Sequence, residues 1–393
     1  MSTAEAADLA DAFKLAKAAF MAGRFADAER LCVTALSVAP DDFDAQRLLA
    51  ALCVRRGRHL EALALYDRIL TRNPDYAEGH YLRADALGEL GRIPEALNNR
   101  ETSASPQRGF TQPQWHGLES LYDRTILLHA GASDADAIQF CRYVPQVAAR
   151  GARIILEVAA PLRDLMTSLA GVSQVITTGD PRPGFDLHCR LESLPHAFGA
   201  RMETIPTTVP YLRPPPAALP FWKFLLGVTA RPRIGIAWAG SPTDENDRNR
   251  SIALRAMLRL ADADAVFVSL QKELRPGDET LLEARPDVIH AADTVGNVAD
   301  MAALMMNLDL VVTPDTSLAH LAGALGKPVW VLLPHTPDWR WLLGRNTSPW
   351  YPSARLFRQA RPGDWDEVIA RVKTALPDFA ATVAGGDPAP PQT

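Results

Sequence analysis

The sequence predicts an α + α/β protein: paired helical repeats at the N-terminus, then two α/β halves built on parallel sheets. Three observations carry this. Small residues recur at a fixed interval through the first quarter of the chain. Short apolar runs alternate with helical segments from residue 124 onward, and a proline-rich stretch cuts that second region in two.

The 393 residues, 22% charged and 47% hydrophobic, have the balance of a folded chain of two or three domains. A formal net charge of −5 offers no general attraction to phosphate backbones, so nucleic acid is not an expected partner. The opening MSTAEAADLADAF holds neither a basic leader nor an apolar core, and no run of about 18 apolar residues occurs anywhere. Neither a signal peptide nor a membrane span is expected. Cys32, Cys53, Cys141 and Cys189 lie far apart with no Cys-x-x-Cys pair. They read as small buried residues in a reducing cytoplasm, not as a zinc cage or a disulfide framework.

Gly23-Arg24, Gly57-Arg58 and Gly91-Arg92 recur at a spacing of 34. Ala16, Ala50 and Ala84 keep that register, as do Ala28, Ala62 and Ala96, and Pro40 matches Pro74. This is the period and small-residue pattern of tetratricopeptide repeats, in which paired helices cross closely only at Ala or Gly. The glycine ends the first helix of each pair and the proline closes the second. About two and a half repeats are visible before the pattern degrades after Ala96, so residues 1–100 are assigned to them. Their concave face is expected to take a protein or peptide; a spacer or dimerisation surface is the alternative.

Residues 101–123 are polar and broken by proline, and read as a linker. Beyond it, RTILLHA, ARIILEVA, SQVITT and FDLHCRL read as the strands of a first half, 124–218. VPYLRPPPAALP marks the boundary. RIGIAWAG, AVFVSLQ, DLVVT, PVWVLL and ARLFRQ follow in a second half, 219–379, closed by the helical DWDEVIARVKTAL. Residues 380–393 read as a disordered tail. Apolar runs that alternate with helices imply two Rossmann-like sheets with a cleft between them, and ligands in such folds sit at the carboxyl ends of the strands.

The strand-end loops are therefore where chemistry is sought. In TPDTSLAHLAGALGKP, Leu318, Leu321, Ala322 and Leu325 form a helical stripe that Gly326 ends. Thr316 and Ser317 then fall in the first turn, where free amides and the helix dipole favour a diphosphate, with His320 one turn along. The competing reading makes Asp315 an N-cap and His320 a satisfied polar residue. WAGSPTDENDRNRS puts Gly240 and Ser241 at the turn after the half's first strand, then Arg248 and Arg250 as forked phosphate donors. Gln271 and Lys272 end the next strand, within reach of a ribose or phosphate. The tryptophans of PDWRWLLGRNTSPWYP read as packing residues, not as sugar platforms.

These motifs resemble those of the two-domain GT-B glycosyltransferases, specifically glycosyltransferase family 9, the group that includes heptosyltransferases. The resemblance covers roughly the C-terminal 280 residues. DTSLAHLAGALGKPVW is similar to that family's Asp-Thr-small…His…Ala motif, and GIAWAGSPTDENDRNRSI resembles a bacterial branch in which tetratricopeptide repeats come first. A repeat array fused to GT-B halves is also the layout of protein O-GlcNAc transferases. The resemblance makes Asp315, Thr316, Ser317 and His320 donor-site residues, with Arg248, Arg250 and Lys272 as weaker candidates. It also implies a catalytic base on the loop after the first strand, where the family has a Gly-Asp pair. HAGASDADAIQF places Asp136 at that aspartate, with Ala135 in the glycine's place and Asp134 as a rival; either aspartate can instead be an N-cap.

The expectation is an inverting, metal-independent glycosyltransferase that uses a nucleotide sugar as substrate, has no cofactor, and acts on a protein recruited by the repeats. Two alternatives stand beside it. One is a non-catalytic adaptor whose degenerate GT-B domain senses a nucleotide sugar. The other is a transferase with a lipid or saccharide acceptor.

Overall fold

The computed structural model describes residues 3–103, 109–244 and 247–384. The chain divides into two compact units: the repeats through Gly109 together with Asp338–Leu343, and Phe110–Pro337 together with Gly344 onward.

The first unit has three complete helix pairs: α1 Thr3–Met21 and α2 Phe25–Val38, α3 Phe43–Arg55 and α4 His59–Arg72, α5 Ala77–Glu89 and α6 Ile93–Ser103. Ala16, Ala28, Ala50, Ala62, Ala84 and Ala96 are all fully buried where helices cross. Gly57 has a φ of +71°, the left-handed turn that separates α3 from α4, and Gly23 and Gly91 repeat it at +73° and +77°. The third pair corrects the count of two and a half, since α6 continues to Ser103, inside the stretch assigned to the linker. Its pattern is hidden because a buried position is polar. Asn99 is satisfied by His80 Nδ1 at 3.1 Å and the Glu95 carbonyl at 2.9 Å.

Asp338–Leu343 closes this last repeat. Trp339 is 1% exposed and lies so near α5 that a Cβ on Gly88 would come within 2.8 Å of it. The Arg100 guanidinium of α6 stands 4.8 Å from the Trp339 ring, and Leu343 N–H donates to the Glu89 carbonyl at 3.2 Å. A further repeat would contact both helices of the pair in the same way, so the segment serves as a terminal cap. Trp339 and Trp341 are thus packing residues, as expected, but they pack within the repeat unit.

The second unit holds two all-parallel sheets. The first contains β1 Thr125–His129, β2 Arg153–Val158, β3 Val172–Thr177 and β4 Leu187–Arg190, in the order β3-β2-β1-β4. The second contains β5 Arg233–Ile236, β6 Val266–Ser269, β7 Val288–His290, β8 Leu310–Pro314, β9 Val329–Leu333 and β10 Ala354–Arg358, in the order β10-β9-β8-β5-β6-β7. β8 and β9 are buried at every position, which explains their unbroken apolar runs. β7 was not expected; three residues at a sheet edge are too few to show a period.

The closing helix runs Trp365–Ala384 and buries Val368, Ile369, Val372 and Leu376 against β-sheet residues such as Leu332 and Phe357. It includes residues 380–384 of the stretch read as a tail, and the rest of that stretch lies outside the described residues. All four cysteines are buried, and none is in a disulfide. No helix among the described residues is long and apolar enough to cross a membrane.

Candidate functional site

Each sheet has a switch point beside its first strand, since β1 lies between β2 and β4, and β5 between β6 and β8. Connections leave such a strand pair toward opposite faces, which opens a crevice beyond the carboxyl ends. The loops after β5 and β8 flank one crevice, and those after β1 and β4 the other.

At the β8 edge, the helix Ser317–Ala324 begins directly after Thr316. Thr316, not Asp315, is the N-cap, with the extended backbone of that position (φ −137°, ψ 171°), yet its side chain makes no capping hydrogen bond. Its hydroxyl lies 3.0 Å from the buried Thr313 hydroxyl instead. Of the first-turn amides, Ala319 N–H donates to the Thr316 carbonyl at 3.0 Å, while those of Ser317 and Leu318 receive nothing from the cap side chain. Asp315 sits one position outside the helix, nine-tenths buried, with Oδ1 3.9 Å from His320 Nε2. That replaces the expectation of Asp315 as cap. Ser317 is exposed at the first helical position.

His320 is almost fully buried, and its Nδ1 lies 2.8 Å from the Tyr351 hydroxyl. Burial pushes the Tyr351 phenol well above its ordinary range, so it stays a neutral O–H. Beyond it lies Tyr211, its phenol pushed up to about 12 by burial, and the buried guanidinium of Arg142. Arg142 donates to the carbonyls of Trp350 at 2.6 Å, Gln139 at 2.8 Å and Pro206 at 3.2 Å, and to Tyr211 Oη at 2.9 Å. Spacing gave no sign of this network, because its members lie on distant segments. The helix is buried nearly all round, not along the predicted stripe alone, because the Asp134–Phe140 helix of the first half packs against it.

The loop after β5 is held by arginines, one its own and one from beyond β6. Arg250 Nη2 donates to Asp244 Oδ2 at 2.6 Å, and Arg275 bridges Asp247 Oδ2 at 2.6 Å and the Gly240 carbonyl at 2.9 Å. A Cβ on Gly240 would meet Arg250 Nη2 at 2.9 Å, so this glycine admits an arginine of its own chain. Ser241 is exposed, with its hydroxyl 2.9 Å from that of Thr243. Arg248 and Lys272 are exposed.

Gln271 does not reach toward a ligand. Its Oε1 accepts from the Trp238 and Ala239 amides, both at 3.0 Å, and its Nε2 donates to the carbonyls of Ala239 and Glu273, both at 3.1 Å. The side chain completes the main chain where β5 ends. The expectation of a ribose contact is corrected accordingly.

At the β1 edge, Ser133 caps the helix Asp134–Phe140 by accepting from Asp136 N–H at 3.1 Å. Neither aspartate is therefore the N-cap. Both are half-buried in its first turn, and burial raises the Asp134 carboxyl above its ordinary range. Glu192, at the end of β4, was missed by sequence reasoning. Its Oε1 accepts from Gly131 N–H at 2.8 Å, where the loop to Asp136 begins. Burial, with the Asp136 charge adding, pushes its carboxyl up.

Two parallel sheets with facing crevices define the GT-B class of fold. A glycosyltransferase family 9 structure from Veillonella parvula DSM 2008 is similar at a TM-score of 0.50, over 68% of this chain and 99% of that one, with 12% identity. The Escherichia coli ADP-heptose lps heptosyltransferase II aligns over 66% of this chain and 99% of its own, at TM-score 0.48 and 17% identity.

Residues 13–77 and 55–108 match the tetratricopeptide repeat family, and residues 294–364 match glycosyltransferase family 9 (heptosyltransferase). The chain thus carries tetratricopeptide repeats and a family 9 segment in one polypeptide, and that segment contains the whole β8 edge. Protein FlbA of Caulobacter vibrioides is 27% identical over 78% of this chain, which spans 56% of that relative's length. The family match supports a glycosyltransferase.

Proposed function

We propose that this chain is an inverting, metal-independent glycosyltransferase that moves a sugar, hexosyl or heptosyl, from a nucleotide sugar to a protein recruited by the repeats in the cytoplasm. The observation that carries the reading is the helix at Ser317, inside the family 9 match, whose cap hydroxyl is turned to Thr313 and away from the first-turn amides. The diphosphate of the donor takes those amides, with Ser317 and the Asp315–His320 pair beside it. The exposed Arg248 and Lys272 supply further cations.

Asp136, on the helix packed against this one, takes the proton of the acceptor hydroxyl, with Asp134 as the rival. The acceptor oxygen bonds to the anomeric carbon from the side opposite the nucleotide, and the anomeric C–O bond breaks with its electron pair going to the diphosphate. Rigid donors aimed at that developing charge are worth a few kcal/mol each.

The test is a panel of ADP-, GDP-, UDP- and dTDP-linked sugars, read by thermal shift and sugar release. Wild type is expected to shift with one donor class and to release its sugar; His320→Ala loses the shift, and Asp136→Ala keeps the shift and loses release. No shift with any donor sinks the reading. Binding with no release leaves a nucleotide-sugar-binding adaptor.

A further inference from the structure

We propose that Glu192 positions the loop that carries Asp136, by holding the Gly131 amide beside the β1/β4 crevice. This rests on the glycosyltransferase reading above and adds a residue to its acceptor side.

The position follows from topology. Among the described residues β1 pairs with β2 and β4, and β1 and β4 run parallel with His129 opposite Arg190. Their carboxyl ends therefore emerge together, and residues two or three beyond each register pair face one another across the switch point. Gly131 and Glu192 occupy those places.

The contact is close. Gly131 N–H donates to Glu192 Oε1 at 2.8 Å, and a Cβ at Gly131 would stand 2.5 Å from the same oxygen. A side chain at 131 would therefore push the carboxylate away, which accounts for glycine at the start of this loop. The second oxygen, Oε2, is shielded from solvent and has no hydrogen-bond partner, with Arg190 Nε 3.7 Å away.

The groups that face Glu192 are the Gly131 amide from the β1 loop, Arg190 from its own strand, and Asp136 from the helix. Its own amide, the Gly131 amide and the Arg190 guanidinium favour its charge, while burial and the Asp136 carboxylate oppose it. Burial is the largest of these, so the carboxyl titrates above the ordinary range. Anchoring one end of a short loop fixes its other end. From Gly131 only four residues separate the anchor from Asp136, and Ser133 pins the middle as the N-cap.

The test uses the full chain with the panel donor that shifts wild type and water as acceptor, and measures sugar release against pH. Glu192→Ala removes the anchor and is expected to slow release about tenfold or more, since small misplacements of a catalytic group are that costly. Glu192→Gln keeps an oxygen that accepts from Gly131, so release is largely restored at neutral pH, and the inflection due to the raised carboxyl disappears from the profile. Both variants retain the wild-type donor-induced thermal shift.

Release by Glu192→Ala equal to wild type overturns the positioning role and leaves the transferase intact. A Gln variant as slow as the Ala variant also overturns it, since the hydrogen bond would then not be what matters. Failure of wild type itself to bind or release any donor removes the reading on which the role rests.

Discussion

Gly323→Ala sets two effects of opposite sign against each other at the donor edge. Gly323 lies inside the helix Ser317–Ala324 with no left-handed requirement, and Ala is favoured over Gly in a helix by about 1 kcal/mol. On propensity alone the variant is stabilised. However, a Cβ there would meet the Tyr351 ring at 2.3, 2.5 and 2.8 Å. The ring cannot step aside, because Tyr351 is fully buried and the Arg142 guanidinium, itself held by three carbonyls, stands 4.6 Å from its centre. Overpacking of that kind costs about 1–3 kcal/mol. Contacts of 2.3–2.8 Å put the cost in the upper part of that range, about 2–3 kcal/mol, which outweighs the gain and leaves a net destabilisation of about 1–2 kcal/mol.

Strain at the clamped ring also falls on the Tyr351 hydroxyl's contact with His320 Nδ1, so the donor-induced thermal shift should shrink as well. Urea denaturation followed by tryptophan fluorescence gives the first quantity, and the nucleotide-sugar panel gives the second. A Gly323→Ala protein as stable as wild type, or more so, would refute the claim that Tyr351 is clamped.

Three further expectations separate structural from ligand-facing roles. Gln271→Ala strands the buried amides of Trp238 and Ala239, at about 1–3 kcal/mol for an unsatisfied buried donor, so it should lower the urea midpoint far more than it alters donor binding. Trp339→Ala empties the cap of the last repeat, and losing a buried tryptophan costs about 3–5 kcal/mol; proteolysis should then cut first within α5 and α6. Asp85 on α5 pairs with Arg100, but burial, aided by Asp338, raises its carboxyl to about 6. Because the folded value lies above the unfolded one, the native state binds the extra proton between about pH 4 and pH 6, and stability falls as pH rises through that window. Asp85→Asn should remove that slope from the melting temperature measured at pH 5 and pH 7.5.

What the sequence revealed was whatever is local or periodic. The 34-residue register of Gly23, Gly57 and Gly91 was legible because each repeat solves the same crossing problem with the same small residues. The buried runs of β8 and β9 were legible because both faces of those strands are covered. Adjacency was not legible. Glu192 is one charged residue after one strand until β4 is known to pair with β1. DWRWLL gives no sign, from its own composition, that it will cap a repeat more than two hundred residues away in the chain. Gln271 misled for a related reason: a polar side chain at a strand end looks available until the unpaired main chain of Trp238 and Ala239 beside it is seen.

The Thr316 cap shows where local and tertiary demands part. A threonine in N-cap geometry ordinarily bonds a first-turn amide, and its loss costs about 1 kcal/mol. Here the geometry is kept and the bond is not made, because Thr313, next to last in β8, draws the hydroxyl inward. Asp315 cannot substitute, since it lies outside the helix and is turned toward His320. The helix therefore forgoes a capping contribution that its own sequence could supply, and it does so at the carboxyl edge of the strand beside the switch point. Departures from local preference tend to fall at functional sites. The amides left at Ser317 and Leu318 are the same groups a diphosphate would take. A Thr313→Val protein, which frees the Thr316 hydroxyl to cap, should therefore be no less stable in this helix yet bind the nucleotide sugar more weakly. Unchanged donor affinity in that variant would mean that the amides are not the diphosphate's ligands.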